Sequence, residues 1–315
     1  MKQAILYIVI FSFPCLSLFA QQEETYTQYI YNKYALNPAF GGTSKCPDIK
    51  FGTRLQWIGF EGAPVTSFFS YHTAIGYQDQ RSKNWHGLGI YLVDDRTGFY
   101  NSTALYPSYT FHTRIGRRVV ASAGFFIGMR NLTSGIGGNA DPIMAPTTRI
   151  IFPDLGGGVL LYSPAWFVGL SIKQIYTNTV SSVSYNGATD NLYKFRARQY
   201  YLTLARWIEA YAFSFSYTPS VLIKYHETVN PAVDIGIMFH YMENKFNIGA
   251  SYRVGDGLAA MLQVNLLKKL SAGYAYEFPL SKIRKVSGQT HEIILKWDPC
   301  WSTNSHFGKV NCPSF

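Results

Sequence analysis

The chain has few charged residues and, after its first 20 residues, no long apolar run. Of its 315 residues, 15% are charged and 17% are aromatic. A soluble domain of this size carries roughly a quarter charged residues, so the composition is unusual for a water-soluble protein. No segment after residue 20 is long and apolar enough to cross a bilayer as a helix. The absences exclude a helical membrane protein and weigh against a soluble one.

Motifs for chemistry are missing as well. The sequence contains no G-x-S-x-G, H-E-x-x-H or Walker loop. Gly135, Gly137 and Ala140 fit a loose dinucleotide pattern, but Asp141-Pro142 follows with no helix, which indicates a turn. Each of the seven histidines stands alone. We therefore predict that the chain is not an enzyme and that it holds no metal or other cofactor.

What the sequence has instead is a side-chain pattern with a period of two. It is clearest between 246 and 278, where apolar residues occupy every second position and small or polar ones lie between them: Phe246, Ile248, Ala250, Tyr252, Val254, then Leu258, Ala260, Leu262, Val264, Leu266, then Leu270, Ala272, Tyr274, Tyr276, Phe278. Such alternation is typical of strands with one apolar and one polar face.

This pattern fits a soluble β-sandwich or a transmembrane barrel whose apolar face meets lipid. The aromatic-rich, weakly charged composition favours the barrel. Alternation predicts an all-β, antiparallel, up-and-down outer-membrane barrel of about 14 strands over residues 49–298. With a periplasmic N-terminus, the longest connections, 131–152 and 178–195, fall outside, and the tight ones fall inside, as such barrels require.

The two ends of the chain have other compositions. Residues 1–20 combine Lys2, an apolar stretch and Ala20, which indicates a cleaved signal peptide. Residues 21–48 are predicted to form an N-terminal periplasmic segment, and residues 299–315 a C-terminal periplasmic tail. A secreted chain of this kind is expected in the outer membrane of a Gram-negative bacterium, where nucleic acid is not an expected partner.

The lumen-facing positions predict polar contacts inside the barrel. They include both acidic and basic residues, which favours internal ion pairs over a filter of one sign: Asp234, His240, Asn247, Arg253, Glu277, Lys296. Alternation does not decide whether the lumen is open or filled by these side chains and the N-terminal segment.

The net charge is +10, and Arg114, Arg117 and Arg118 crowd a predicted periplasmic turn. These arginines fit solvated charges with lipid phosphates as counterions, or a docking patch for an acidic protein.

Three cysteines remain after the predicted signal peptide. Cys300 and Cys312 share the short tail after the last strand and are the favoured disulfide pair. A bond from Cys46 to one of them, or three reduced thiols, are the alternatives.

An ordered set of short motifs resembles one family. The set runs through Gln28-Tyr29-Ile30-Tyr31-Asn32, Leu36-Asn37-Pro38-Ala39-Phe40-Gly41-Gly42, Arg54-Leu55-Gln56-Trp57-Ile58-Gly59, Gly62-Ala63-Pro64-Val65-Thr66, Asp154-Leu155-Gly156-Gly157-Gly158, Ser251-Tyr252-Arg253 and Cys312-Pro313-Ser314-Phe315. It covers nearly the whole mature chain and resembles the PorP/SprF outer-membrane proteins of the Bacteroidetes type IX secretion system.

The resemblance implies a non-enzymatic helper that supports export and surface anchoring of specific cargo, such as gliding adhesins. Expected partners are the cargo's C-terminal domain, periplasmic components of the machine and outer-membrane lipid. The alternative functions are a barrel that transports a small solute and an outer-membrane hydrolase.

Six residues of these motifs are candidates for partner contact or loop shaping: Asn37, Pro38, Trp57, Gly59, Gly62 and Pro64. Asn37-Pro38 would also end a short helix and direct the chain toward the first strand. Gly59, Gly62 and Pro64 would shape the first outer loop.

Overall fold

A closed barrel of long strands makes up most of the protein in this computed structural model. The strands are β1 Asp48–Leu55, β2 Val65–Ile75, β3 Asn84–Thr97, β4 Tyr100–Arg114, β5 Val120–Ser134, β6 Thr148–Tyr162, β7 Trp166–Lys173, β8 Gln199–Arg206, β9 Phe215–His226, β10 Val229–Tyr241, β11 Phe246–Arg253, β12 Gly257–Leu267, β13 Leu270–Pro279 and β14 Thr290–Trp297. The predicted all-β barrel of 14 strands is confirmed.

The structure describes residues 24–299 with the exception of 45, 77–81, 135–147, 211–214, 228, 243, 268, 282–283 and 285–287. Between 177 and 197 it describes four two-residue strands, Thr179–Val180, Ser184–Tyr185, Ala188–Thr189 and Tyr193–Lys194. A three-residue strand, Ile208–Ala210, pairs with the start of β9. The predicted signal peptide and most of the C-terminal tail lie outside the described residues.

Each barrel strand pairs antiparallel with its neighbours in sequence. The barrel closes where β1 meets β14, with Ile49 opposite Trp297 and Leu55 opposite His291. Closure pairs the backbone groups of what would otherwise be two edge strands, which is why only a closed sheet can cross a bilayer.

The period-two pattern arises because alternate side chains face in and out. On β3, buried and exposed residues alternate from Asn84 to Val93. Large apolar side chains cover the outside of the wall, as predicted for a face toward lipid; they include Phe51, Phe69, Leu88, Ile90, Leu92, Phe125, Ile127, Ile151, Leu170, Ile235, Ile248 and Leu262. His240, predicted to face the lumen, is buried on the inner face, and so is His72.

The two ends of the barrel differ in their connections. We call the end that carries 56–64, 135–147, 174–198 and 280–289 the loop end. The opposite, turn end carries short links at 115–119, 163–165 and 268–269. The two longest connections thus lie at one end and the tight links at 163–165 and 268–269 at the other, as the sequence predicted, although the loop end also carries the tight turn 98–99.

A short helix precedes the barrel. Helix α1, Lys33–Leu36, stops before Asn37, whose side-chain Oδ1 accepts from the Ala39 backbone N–H at 2.9 Å and caps a 3-10 turn, Pro38–Phe40. In the described part of the chain, no helix is both long and apolar enough to cross a membrane.

Candidate functional site

Residues 24–43 lie inside the barrel, and we call them the plug. Nearly all of them are buried, and together with inward-facing residues of the wall they form the main hydrophobic cluster. Of the residues 21–48 predicted as a periplasmic segment, residues 24–43 thus lie inside the barrel. Alternation along strands could not reveal this location, because contact between the plug and the wall joins residues far apart in sequence.

The plug begins near the loop end at a buried arginine. Arg130 donates from Nη1 to the Glu24 carboxylate at 2.8 Å and from Nε to Asp154 at 3.2 Å. Tyr106 donates its hydroxyl to the same Asp154 oxygen at 2.5 Å. Because an isolated buried charge is strongly unfavourable, each of these charges requires the others to be in place.

A second charged group binds the plug backbone. Glu292 accepts from the Thr27 N–H at 2.7 Å and from the Gln28 N–H at 3.0 Å. Arg54 lies beside it, 3.3 Å from Glu292 and 3.1 Å from Glu277, and also donates to the Thr27 hydroxyl. Glu277 accepts from that hydroxyl at 2.8 Å. One residue of the plug therefore bonds to three charged side chains of the wall.

The charges continue around the inner wall away from the plug. Arg253 lies 3.0 Å from Glu277 and 2.8 Å from Asp234, and Asp234 also pairs with Lys224 at 2.9 Å. The predicted internal ion pairs are confirmed. Because the charges neutralise one another, this part of the lumen carries no excess of one sign.

Tyrosine hydroxyls of the plug bond to serines of the wall. Tyr29 pairs with Ser220 at 2.8 Å and Tyr34 with Ser108 at 2.5 Å. Burial raises the pKa of the Tyr34 phenol well above its ordinary value, and the bond to Ser108 offsets only part of that rise. A phenol is neutral at physiological pH even without this shift, so the hydroxyl keeps its proton for a hydrogen bond.

Toward the turn end, side chains of the wall donate to backbone carbonyls of the plug. Four such bonds run along the segment: Ser171 to Leu36 at 2.8 Å, Thr110 to Pro38 at 2.8 Å, Ser122 to Ala39 at 2.8 Å and Trp85 to Gly42 at 3.0 Å. Irregular backbone inside a barrel needs such partners, because its polar groups are not satisfied within a sheet.

Asn37 and Pro38, two of the sequence candidates, belong to the plug. Asn37 donates from Nδ2 to the carbonyls of Val159 and Leu170 at 3.1 and 3.2 Å. Both residues are buried. The structure places them against the barrel wall and away from any exposed surface.

The inner wall has glycines where the plug backbone comes closest. A Cβ added to Gly87 would lie 2.2 Å from the Gly41 carbonyl oxygen, and one added to Gly124 would lie 2.8 Å from the Pro38 carbonyl carbon. These distances are too short for any side chain. The plug and the glycines of the wall are thus complementary in shape.

This complementarity predicts that Gly87→Ala loosens the plug. Overpacking of this kind costs about 1–3 kcal/mol, and the plug can relieve it by leaving the wall. The rate of trypsin cleavage after Lys33, inside the plug, measures the change. Gly157→Ala on β6 is the control, because its added Cβ would lie 3.8 Å from its nearest neighbours, the Gly124 carbonyl oxygen and the Ile175 Cδ1. Equal cleavage of the two variants would contradict the prediction.

Little space remains beside the plug where it faces β9–β12. The cavity there, between Thr27–Tyr31 and residues such as Met238 and Gln263, has a volume of about 10 Å³. A cavity needs about 10–15 Å³ to hold one water molecule, so a solute does not fit there.

The other four sequence candidates lie in the β1–β2 loop at the loop end. Gly59 and Gly62 are exposed and have positive φ angles of 93° and 73°, which glycine adopts without strain. Trp57 is half-buried, and Pro64 is buried with its carbonyl accepting from the Gln56 N–H at 2.9 Å. The structure brings these four together but separates them from Asn37 and Pro38.

Neighbouring connections hold this loop on both sides. The Gly98 N–H donates to the Gly62 carbonyl at 2.8 Å, and an alanine Cβ at Gly62 would lie 3.1 Å from the Gly98 Cα. On the other side, the Ile58 N–H donates to Gln289 at 3.0 Å and the Ile58 carbonyl accepts from Gly288 at 3.0 Å. The loop therefore has a defined shape.

The same region exposes large apolar side chains. Ile58 and Phe60 are each 46% exposed, and Phe99 in the adjoining β3–β4 turn is 65% exposed. We call these three residues the rim patch. Exposed apolar groups beside polar ones are typical of protein or membrane contacts. The glycines of the loop were visible in the sequence, but Phe60 and Phe99 were not among the predicted site residues, because nothing in the sequence brings these two connections together.

Two expectations concern cysteines and metals. Cys300 and Cys312 lie outside the described residues, so their disulfide stays a prediction; Cys46 is half-buried just before β1. Within the described residues, no group of three or more His, Cys, Asp or Glu side chains is arranged to hold a metal ion.

Residues 18–297 match the family model described as "Type IX secretion system membrane protein PorP/SprF". The chain belongs to the PorP/SprF family. This PorP/SprF chain is thus an outer-membrane β-barrel associated with type IX secretion. No curated protein matches it.

Solved structures show the same fold at low sequence identity. The CymD monoaromatic hydrocarbon channel aligns with a TM-score of 0.55 at 12% identity, over 85% of this chain and 92% of that one. The toluene transporter TbuX of Ralstonia pickettii aligns with a TM-score of 0.52 at 12% identity, over 85% and 93%. This PorP/SprF chain therefore shares a barrel fold with these proteins.

Proposed function

We propose that the chain is a non-enzymatic accessory protein of type IX secretion, which supports export and surface anchoring of specific cargo through binding. The plug inside the lumen carries this proposal. A barrel whose interior is occupied by its own N-terminal segment is suited to bind partners at its ends, and membership of the PorP/SprF family supplies the secretion pathway.

Outer-membrane barrels keep short turns in the periplasm and long loops outside. On that rule the loop end faces the cell surface and the turn end faces the periplasm. The rim patch would then contact the cargo's C-terminal domain, such as that of a gliding adhesin. The turn end would contact periplasmic components of the machine. The β1–β2 loop is held in a defined shape by its neighbours. This supports cargo contact at the rim patch, because a preorganised surface loses little entropy on binding.

Surface proteomics of a deletion strain tests the function. We expect one or a few large proteins with C-terminal domains to disappear from the surface, while total cellular amounts of unrelated outer-membrane proteins stay constant. An unchanged surface proteome would contradict the proposal.

The rim patch gives a sharper prediction. The double change Ile58→Ser and Phe60→Ser should reduce surface-retained cargo about tenfold, because buried apolar anchors carry most of the energy of an interface. Quantitative surface labelling of the affected cargo in complemented cells is the measurement. Met242→Ser removes a side chain that is 71% exposed at the turn end and serves as control. Equal cargo retention in both strains would exclude the rim patch as the cargo-binding surface.

Transport of a small solute is the second candidate. Its support is the shared fold with CymD and TbuX, which are described as a hydrocarbon channel and a toluene transporter. It requires the plug to move. Altered uptake of a monoaromatic compound in the deletion strain, together with an unchanged surface proteome, would favour transport over cargo binding.

A further inference from the structure

The lipid-facing wall has a concave area close to the turn end. It lies across β4–β7, holds about 400 Å³ and is lined mostly by apolar side chains. That volume is within the range of sites that hold small organic ligands. The concavity has its cause in the residues that line it.

Two alanines create it. Ala121 and Ala123 face outward on β5. Ala123 lies opposite Phe111 on β4 and Val159 on β6, while Ala121 lies opposite Thr113 on β4 and Leu161 on β6. The small side chains leave a groove bordered by larger ones. Because these residues face away from the lumen, the groove opens to the hydrocarbon of the bilayer.

A basic turn lies next to the groove. Arg117 and Arg118 are exposed in the β4–β5 turn. Arg118 is three residues before Ala121, a span of at most about 11 Å along an extended chain. Among the described residues, neither Arg117 nor Arg118 forms an ion pair.

The local sequence supplies more positive charge than negative, since the β2–β3 connection contains Arg81 and Lys83 against one acid, Asp79. Arg114 ends β4, and its backbone N–H donates to the carbonyl of exposed Lys83 in the adjacent connection at 2.8 Å. The turns 115–119 and 163–165 contain no Asp or Glu. The groove is therefore apolar along its length and cationic at the end nearest the membrane surface.

We propose that this groove binds one anionic glycerophospholipid of the membrane leaflet at the turn end. Arg117 and Arg118 hold the phosphate, because a guanidinium fork matches phosphate oxygens. An acyl chain lies over Ala121 and Ala123 between Phe111 and Leu161. An apolar groove beside a basic turn fits a lipid better than a soluble protein. The groove is open to the hydrocarbon of the bilayer, and the positive charge lies at the level of the lipid headgroups.

Lipid titration followed by native mass spectrometry tests the site. The full chain, purified without endogenous lipid, is titrated with dioleoyl phosphatidylglycerol or dioleoyl phosphatidylcholine. We expect one phosphatidylglycerol to bind with an affinity about tenfold higher than phosphatidylcholine. The double change Arg117→Gln and Arg118→Gln should remove that preference. Ala123→Leu should fill the groove and weaken the binding of both lipids, although both arginines are still present.

A matched control separates the site from net charge. Lys245→Gln with Lys269→Gln removes two exposed positive charges at the same end of the barrel, and it should leave the preference intact. Heat-modifiable mobility, the difference in gel migration between unheated and boiled samples, shows whether every variant forms a barrel. Equal binding of the two lipids, an equal loss in the lysine control, or displacement of phosphatidylglycerol by inorganic phosphate alone would overturn the proposal.

Discussion

Removal of residues 24–43 is expected to turn the barrel into a water-filled pore. Barrels of eight strands are filled by their own side chains, whereas those of 16–18 strands leave an aqueous channel. A barrel of 14 strands lies near the larger class, and here the plug supplies the missing volume. Once the plug is absent, the polar inner wall with Arg54, Glu277 and Glu292 would face water.

Single-channel recording in planar bilayers measures this effect. The full chain should show rare or no openings, and the deletion variant should show stable conductance. A synthetic peptide of residues 24–43, added to the deletion variant, should block the current, whereas the same residues in scrambled order should not. Block is expected because Glu292 and the wall hydroxyls contact the backbone and side chains of this segment directly. A deletion variant that folds but stays closed would contradict the assignment of residues 24–43 as the plug.

Arg54→Ala is expected to have the largest effect of any single substitution considered. It removes the cation beside buried Glu292, while Glu277 keeps its ion pair with Arg253. Breaking a buried ion pair by removal of one partner costs about 3–5 kcal/mol, mainly because the remaining charge stays desolvated. The free energy of unfolding, from urea titration of the refolded barrel followed by tryptophan fluorescence, should fall by about that amount.

Arg96→Ala is the matched control. Arg96 pairs with Asp94 at 2.9 Å, but its side chain is 68% exposed. A surface pair contributes about 1 kcal/mol or less, so this variant should stay close to the parent in stability. Similar losses for Arg54→Ala and Arg96→Ala would mean that water reaches Arg54 in spite of the plug.

Most of the barrel could be predicted from the sequence. The alternation between Phe246 and Phe278 requires only that neighbouring side chains on a strand point in opposite directions, which is a local property of an extended backbone. The same local rule placed His240, Arg253 and Glu277 on the inner face. Connection lengths then separated the loop end from the turn end.

The positions of the candidate residues were predicted only in part, because their motifs lie close together in sequence but not in space. The glycines of the β1–β2 loop and Trp57 do share one exposed region, since they belong to one loop. Asn37 and Pro38 instead lie inside the barrel, where Val159 and Leu170 accept hydrogen bonds from Asn37. The local sequence around Asn37 and Pro38 does not distinguish a helix that ends in the periplasm from one that ends against a barrel wall.

The amino-acid sequence by itself determined the closed, lipid-facing barrel, its period of two and the family to which it belongs, because these depend on local geometry and on ordered motifs. Only the tertiary structure decided that residues 24–43 lie in the lumen, that Glu292 accepts two backbone N–H groups of the plug and that two alanines form a groove beside Arg117 and Arg118. These features depend on contacts between residues as far as 265 positions apart, such as Thr27 and Glu292, which only closure of the barrel brings together.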